Sequence, residues 1–229
     1  MLVYRGVSKT VTDWAEQFKL KPSTVISRRE RGWSIEQALE IPAGHSYLKP
    51  KRGTRGPWLL TLNGACYHIL DPRIEEVDIE SIASALAREC RFGANSLYRY
   101  SVAQHSVLVS YLCEKYPLCG LLHDSPEAYL KDMPSPIKGS LPPYIYMESL
   151  AWRVICKKFN LMEFQYGMPE EVERADKVML ATEARDLMQN VKNMWKVTEK
   201  AISQRVEPWD LEYSKARFLE RFEELTKNK

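Results

Sequence analysis

Apolar positions in the first forty residues fall at helical spacing. Val11, Trp14, Ala15 and Phe18 share one face behind Thr10, with Asp13 at the third helical position, which predicts a capped helix over 10–18. Leu20-Lys21-Pro22-Ser23 reads as a tight connection to a second helix, from about Ser23 to Arg31, which Gly32 is placed to end. Ser34-Ile35-Glu36-Gln37 has the form of a capping box opening a short third helix to about Leu39. The periodicity then lapses. Residues 42–57, PAGHSYLKPKRGTRGP, predict a linker or a surface loop, with His45 a solvated loop histidine. WLLTLNGACYHIL is two β-runs around Asn63-Gly64, a hairpin signal, with His68 read as a surface strand residue.

Beyond Asp71-Pro72 the pattern is helical almost throughout. Asp78 opens a helix whose Ile79, Ile82, Ala83 and Leu86 form one face. Ser101-Val102-Ala103-Gln104 reads as another capping box, opening a helix through about Lys115. Leu118–Leu130 follows as one helix, with Pro134 and Pro136 forbidding its continuation. Pro143–Phe159, Pro169 to about Asn190 and Trp209–Thr226 complete the set. The expectation is a mainly α protein: a helical bundle preceded by a β-hairpin and a small three-helix N-terminal module. Its divisions are 1–41 for the module, 42–57 for a basic linker and 58–229 for the body.

Charge adds to that division. Residues 1–57 carry eleven Lys/Arg against five Asp/Glu, a net +6, while the other 172 residues carry a net −3. This reads either as a basic module with an anionic partner or as a solvated basic surface. Five cysteines, odd in number and without a CxxC pair, predict reduced thiols in a cytoplasmic setting. No run of about 18 apolar residues occurs and the first residues lack the form of a secretion signal, so no membrane partner is expected.

The chemistry concentrates in four residues. His123-Asp124 lies within Leu121-Leu122-His-Asp-Ser-Pro-Glu, and charged groups amid leucines are costly unless paired or bound to a metal. His105 belongs to the preceding helix, which a short turn can return beside His123. Asp176 sits on a later helix among Val172, Val178 and Met179. Two imidazoles and two carboxylates from three helices suit one divalent transition ion: zinc, manganese, cobalt or iron. A structural His-Asp pair is the competing reading. Magnesium suits two histidines poorly.

The surrounding text favours the metal reading. RFG before YSVAQHSV, then LLHDSPEAYLKDMPSPIK, then ERADKVMLATEARDLM resembles the HD-domain metal-dependent phosphohydrolases, over about Trp58 to Leu187. Within that superfamily the text is most like bacterial 5'-deoxynucleotidases and phage enzymes that strip phosphates from deoxynucleotides. The resemblance implies an HD-type helical domain over 58–229, a divalent metal on His105, His123, Asp124 and Asp176, and hydrolysis of (deoxy)nucleotide phosphoesters to release phosphate or triphosphate. By the same resemblance Arg91 clamps a phosphate and Phe92, where relatives often have tryptophan, packs on base or sugar. Glu127 is the acid/base group, Asp132 helps hold the nucleotide, and Lys138 matches a phosphate-contacting lysine more loosely. Separately, TVTDWAEQFKLKPSTVISRRERGWSIEQAL resembles small helix-turn-helix modules of phage proteins and mobile endonucleases. In that reading Ser23, Thr24, Ser27, Arg28 and Arg29 face DNA; the other reading is a three-helix cap on the body or an oligomer contact. Two further functions stay open: a DNA-binding regulator with a nucleotide-sensing body, and a cyclic or signalling nucleotide phosphodiesterase. A homo-oligomer is also open.

Overall fold

The computed structural model describes residues 1–189 and 198–227. It opens with a hairpin that the sequence pattern did not announce, β1 (Leu2–Tyr4) against β2 (Val7–Lys9). Arg5 and Gly6 both take positive φ, the conformation that lets a two-residue turn follow the strand twist. Three helices follow: α1 (Val11–Gln17), α2 (Pro22–Glu30) and α3 (Ile35–Glu40). Thr10 with Asp13, and Ser34 with Gln37, form reciprocal caps as the sequence predicts. Trp14, Ala15, Val25, Ala38, Leu39 and Ile41 bury a small core beside Tyr4.

Arg28 overturns part of the nucleic-acid reading. It is only 6% exposed. Its guanidinium turns inward and donates to the carbonyls of Ala38 at 2.9 Å, Ile41 at 2.5 Å and Pro42 at 2.9 Å. Those carbonyls end α3 without helical partners, and a buried cation satisfies them. Arg28 therefore cannot face DNA. Arg29 is exposed but donates to the Trp33 carbonyl; Ser23 is exposed, and Thr24 and Ser27 are half-buried.

The segment 42–57 runs along the surface and is anchored. Leu48 is buried, and Arg55 pairs with Asp71 at 3.0 Å and Glu76 at 2.6 Å. β3 (Trp58–Leu60) and β4 (Cys66–His68) then pair antiparallel around Asn63-Gly64, as expected. Tyr67 points inward and stacks on Tyr129, ring centroids 3.8 Å apart. His68 departs from its surface reading: it is half-buried, with Nδ1 3.0 Å from Glu76 Oε1.

The body consists of α4 (Ile79–Arg88), α5 (Val102–Leu112), α6 (Pro117–Leu122), α7 (Glu127–Leu130), α8 (Ser135–Lys138), α9 (Pro142–Lys158), α10 (Glu170–Leu187) and α11 (Leu211–Thr226). The architecture is mainly helical. α5 is central, packed by α4, α6, α10 and α11. It is buried almost all round, from Val102 to Ser110, with the polar Gln104, His105, Ser106 and Ser110 buried among its apolar residues. Tyr146, Met147 and Leu150 of α9 join the N-terminal core, and Arg153 pairs with Glu40 at 2.6 Å, so the module is docked on the body.

Several boundaries differ from expectation. Ser101 caps α5 through Gln104 N–H, but the Gln104 side chain leaves the cap for the Glu207 carbonyl and the Trp209 N–H. α5 stops at Leu112 because Glu171 collects the N–H groups of Glu114, Lys115 and Tyr116. The single helix predicted over Leu118–Leu130 is broken at 123–126, where Ser125 and Glu127 N–H groups bond three residues back, to Leu122 and Asp124. α10 ends at Leu187; the predicted end near Asn190 lies outside the described residues. Among the described residues no helix is long and apolar enough to cross a membrane.

Candidate metal centre

Three elements deliver the centre. His105 projects from the middle of α5. His123 and Asp124 occupy the tight turn after α6, and Asp176 comes from α10. The close approach of α6 to α5 depends on Gly120. A Cβ there would lie 2.9 Å from Cys113 Sγ and 3.3 Å from Ser110 Cα, so a side chain would force the helices apart. With glycine, the two imidazole centroids stand 5.3 Å apart.

Each histidine is oriented through Nδ1. His105 Nδ1 donates to Glu183 Oε1 at 2.6 Å, and His123 Nδ1 donates to the Gly120 carbonyl at 2.8 Å. Both Nε2 atoms are buried and lack a hydrogen-bond partner. They face carboxylates without the alignment of a hydrogen bond. His105 Nε2 is 3.1 Å from Asp176 Oδ1 and 3.6 Å from Asp124 Oδ2; His123 Nε2 is 4.0 Å and 3.3 Å from the same atoms. Donors bound to one ion at ~2.1 Å stand roughly 3.0–3.5 Å from one another; the shortest nitrogen–oxygen distance of each histidine, 3.1 Å for His105 and 3.3 Å for His123, falls in that range. His105, His123 and Asp176 form a group able to hold a metal ion, their donor atoms all within 4.8 Å of one another. Asp124 adjoins this triad, its Oδ2 shared with Arg91 Nη1 at 3.2 Å.

Electrostatics keep the carboxylates charged. Burial opposes ionisation of Asp124, but His123, His105 and Arg91 outweigh it and hold the carboxyl far below its ordinary range. Asp176 is lowered to about 2: burial again opposes, and the contact with His105 prevails. Glu127 behaves oppositely. Burial, then the charges of Asp124 and Asp132, push its carboxyl well above the ordinary range, and its Oε2 is buried without a partner. Two carboxyls three residues apart are thus driven to opposite protonation states, the arrangement that separates an acid from an anionic ligand.

Arg91 reaches the centre from the start of a 3-10 turn (Arg91–Ala94) that follows the extended Cys90, and its N–H bonds the Tyr100 carbonyl at 3.0 Å. Phe92 and Ala94 then take positive φ, 61° and 62°, strained for residues with side chains. Arg91, Phe92, Asp132 and Lys138 line one cavity of about 590 Å³ that reaches Asp124, Glu127 and Asp176. Lys138 is not free within it, since its ammonium pairs with Glu148 at 2.7 Å. A second cavity of about 370 Å³ opens from the same three carboxyls toward Ile145, Trp152 and Met168.

Glu183 went unread in the sequence. It is fully buried on α10 and accepts from His105 Nδ1, from Tyr100 Oη at 2.8 Å and from Arg91 Nε at 3.2 Å. The usable signal was its spacing: seven residues after Asp176, two turns on, hence the same helix face.

No family model matches the chain. It is similar to the uncharacterized protein YfdR of Escherichia coli, 37% identical over 143 residues that cover 62% of this chain and 79% of YfdR. It is also similar to the uncharacterized protein RCAP_rcc00048 of Rhodobacter capsulatus, 32% identical over 139 residues covering 56% of this chain and 69% of that protein.

Proposed function

The chain belongs to the family of the Escherichia coli protein YfdR, and from the geometry of its centre we propose a metal-dependent phosphohydrolase of HD type that cleaves phosphoester bonds of deoxynucleotides. One observation carries the reading: two buried imidazole Nε2 atoms, both without hydrogen-bond partners, converge on two ionised carboxylates. Buried polar atoms without partners are costly, and a cation bound in place of the ring proton satisfies all four groups at once. His105, His123, Asp124 and Asp176 would hold it, and the mixed nitrogen and oxygen donors suit zinc, manganese, cobalt or iron. When bound, such an ion supplies Lewis acidity, which acidifies water at neutral pH and draws charge from a phosphoryl oxygen.

The chain's own residues do the rest. Arg91 has Nε and Nη1 engaged by Glu183 and Asp124, and presents what remains of its planar fork to a phosphate oxygen in the larger cavity. Phe92 and Asp132 line that cavity as walls for sugar and base. Glu127 holds a proton on its buried carboxyl because burial and Asp124 disfavour its anion. In hydrolysis the oxygen of water bonds to phosphorus as the bond to the ester oxygen breaks; the ester oxygen takes its proton from Glu127, and the proton that water gives up restores Glu127. Lys138, already paired with Glu148, shapes the charge of the cavity rather than offering a free ammonium.

The test is a panel of deoxynucleoside mono- and triphosphates with each candidate metal, scoring nucleoside, phosphate and triphosphate separately. Turnover should depend on added metal and vanish in Asp124→Ala at unchanged helicity. Nucleotide bound but not consumed by the wild type, or wild-type turnover by Asp124→Ala, would refute the assignment.

A further inference from the structure

Resting on that proposed centre, we infer that Glu183 is a positioning residue: one buried carboxylate that fixes the metal-facing nitrogen of His105 and the orientation of Arg91 together. Its two oxygens divide the work. Oε1 accepts from His105 Nδ1 at 2.6 Å and Tyr100 Oη at 2.8 Å, while Oε2 accepts from Arg91 Nε at 3.2 Å. Neither the Glu183 side chain nor the His105 side chain has any exposed surface, so water cannot replace these contacts.

The consequence for His105 is tautomeric. A carboxylate at Nδ1 keeps hydrogen on Nδ1, so the neutral ring has its lone pair on Nε2, the nitrogen that faces Asp176 and Asp124. Without that acceptor the ring could carry its hydrogen on Nε2, where it blocks the donor. The consequence for Arg91 is directional. Nε held by Glu183 and Nη1 held by Asp124 fix the guanidinium plane at the cavity wall. A side chain seven residues beyond the ligand Asp176 on α10 therefore ties the site for the ion to the site for phosphate. No other carboxylate in contact with the centre reaches both His105 Nδ1 and Arg91 Nε among the described residues.

Glutamine at 183 separates these functions, because one carbonyl oxygen can serve His105 and Tyr100 or Arg91, but its amide donates where the other stood. The experiment titrates Co²⁺ into full-length wild-type, Glu183→Gln and Tyr100→Phe proteins, following calorimetry and the visible cobalt bands. Inorganic phosphate is then titrated into the cobalt-saturated forms. We expect Glu183→Gln to bind Co²⁺ about 10–100-fold more weakly, with shifted bands, as loss of an outer partner of a ligating histidine does. Its affinity for phosphate should fall as well. Should Glu183→Gln fail to fold, Tyr100→Phe removes one hydrogen bond from the same oxygen and should still weaken Co²⁺ several-fold. Wild-type cobalt binding with unchanged affinity and bands in the folded variants overturns this inference alone. Absence of cobalt binding by the wild type overturns the proposed centre and this inference with it.

Discussion

Metal uptake at this centre should expel a proton, and His105 is its source. Burial and Arg91 disfavour the imidazolium, yet Glu183 and Asp176 outweigh them and raise its pKa from 6.5 to about 9 in the metal-free protein. The second proton of the imidazolium is on Nε2, the nitrogen 3.1 Å from Asp176 Oδ1, and it occupies the position a cation would take. At pH 7.5 the ring is therefore almost wholly protonated, while Asp176, lowered to about 2, has no proton to give. His105 should release one proton per ion bound. Apparent affinity should rise about tenfold for each pH unit up to about 9 and then level off. The same shift governs the metal-free fold. A pKa raised above its unfolded value stabilises fully below 6.5, and the contribution is lost as pH climbs through about 9. A shift of that size corresponds to ~3 kcal/mol. Calorimetric titration with Mn²⁺ or Co²⁺ between pH 6.5 and 9.5, in paired buffers of different ionisation enthalpy, counts the protons directly. A binding heat independent of buffer, with affinity flat across this range, would refute the reasoning.

Two substitutions test how the scaffold holds the centre. Gly120→Ala puts a methyl 2.9 Å from Cys113 Sγ and 3.3 Å from the α5 backbone. It should cost about 1–3 kcal/mol in urea denaturation and weaken metal binding, since α5 and α6 carry the two histidines. In the N-terminal module, Arg28→Leu strands the carbonyls of Ala38 and Ile41 and should cost about 2–4 kcal/mol, whereas Ser23→Ala on the exposed face should change stability by less than about 0.5 kcal/mol. Equal effects from the two would contradict the buried role of Arg28.

What could be read from the text was local or strongly typed. The Thr10 and Ser34 caps are closed by residues three positions away, so sequence alone contains both partners. Asn63-Gly64 announced its hairpin because the turn demands those residue types. The convergence of His105, His123 and Asp176 was legible because ionisable side chains set among leucines and valines must find a partner, and a shared ion is one that serves all three. What escaped depends on distant partners. Glu183 reads as an ordinary helix residue until Tyr100 and Arg91 arrive from far along the chain. Arg28 looks like surface charge until the end of α3 offers it three carbonyls. Gln104 fits a cap by spacing but is drawn off by the segment before α11. The β1–β2 strands, three residues each, are too short to show alternation.

Equilibrium dialysis against a divalent transition metal, with elemental analysis of the protein, tests the metal centre most directly. One ion per chain is predicted for the wild type, and none for a His123→Ala, Asp176→Ala double variant that keeps its helical signal. Less than stoichiometric uptake at saturation by the wild type, or undiminished uptake by the double variant, would contradict the account.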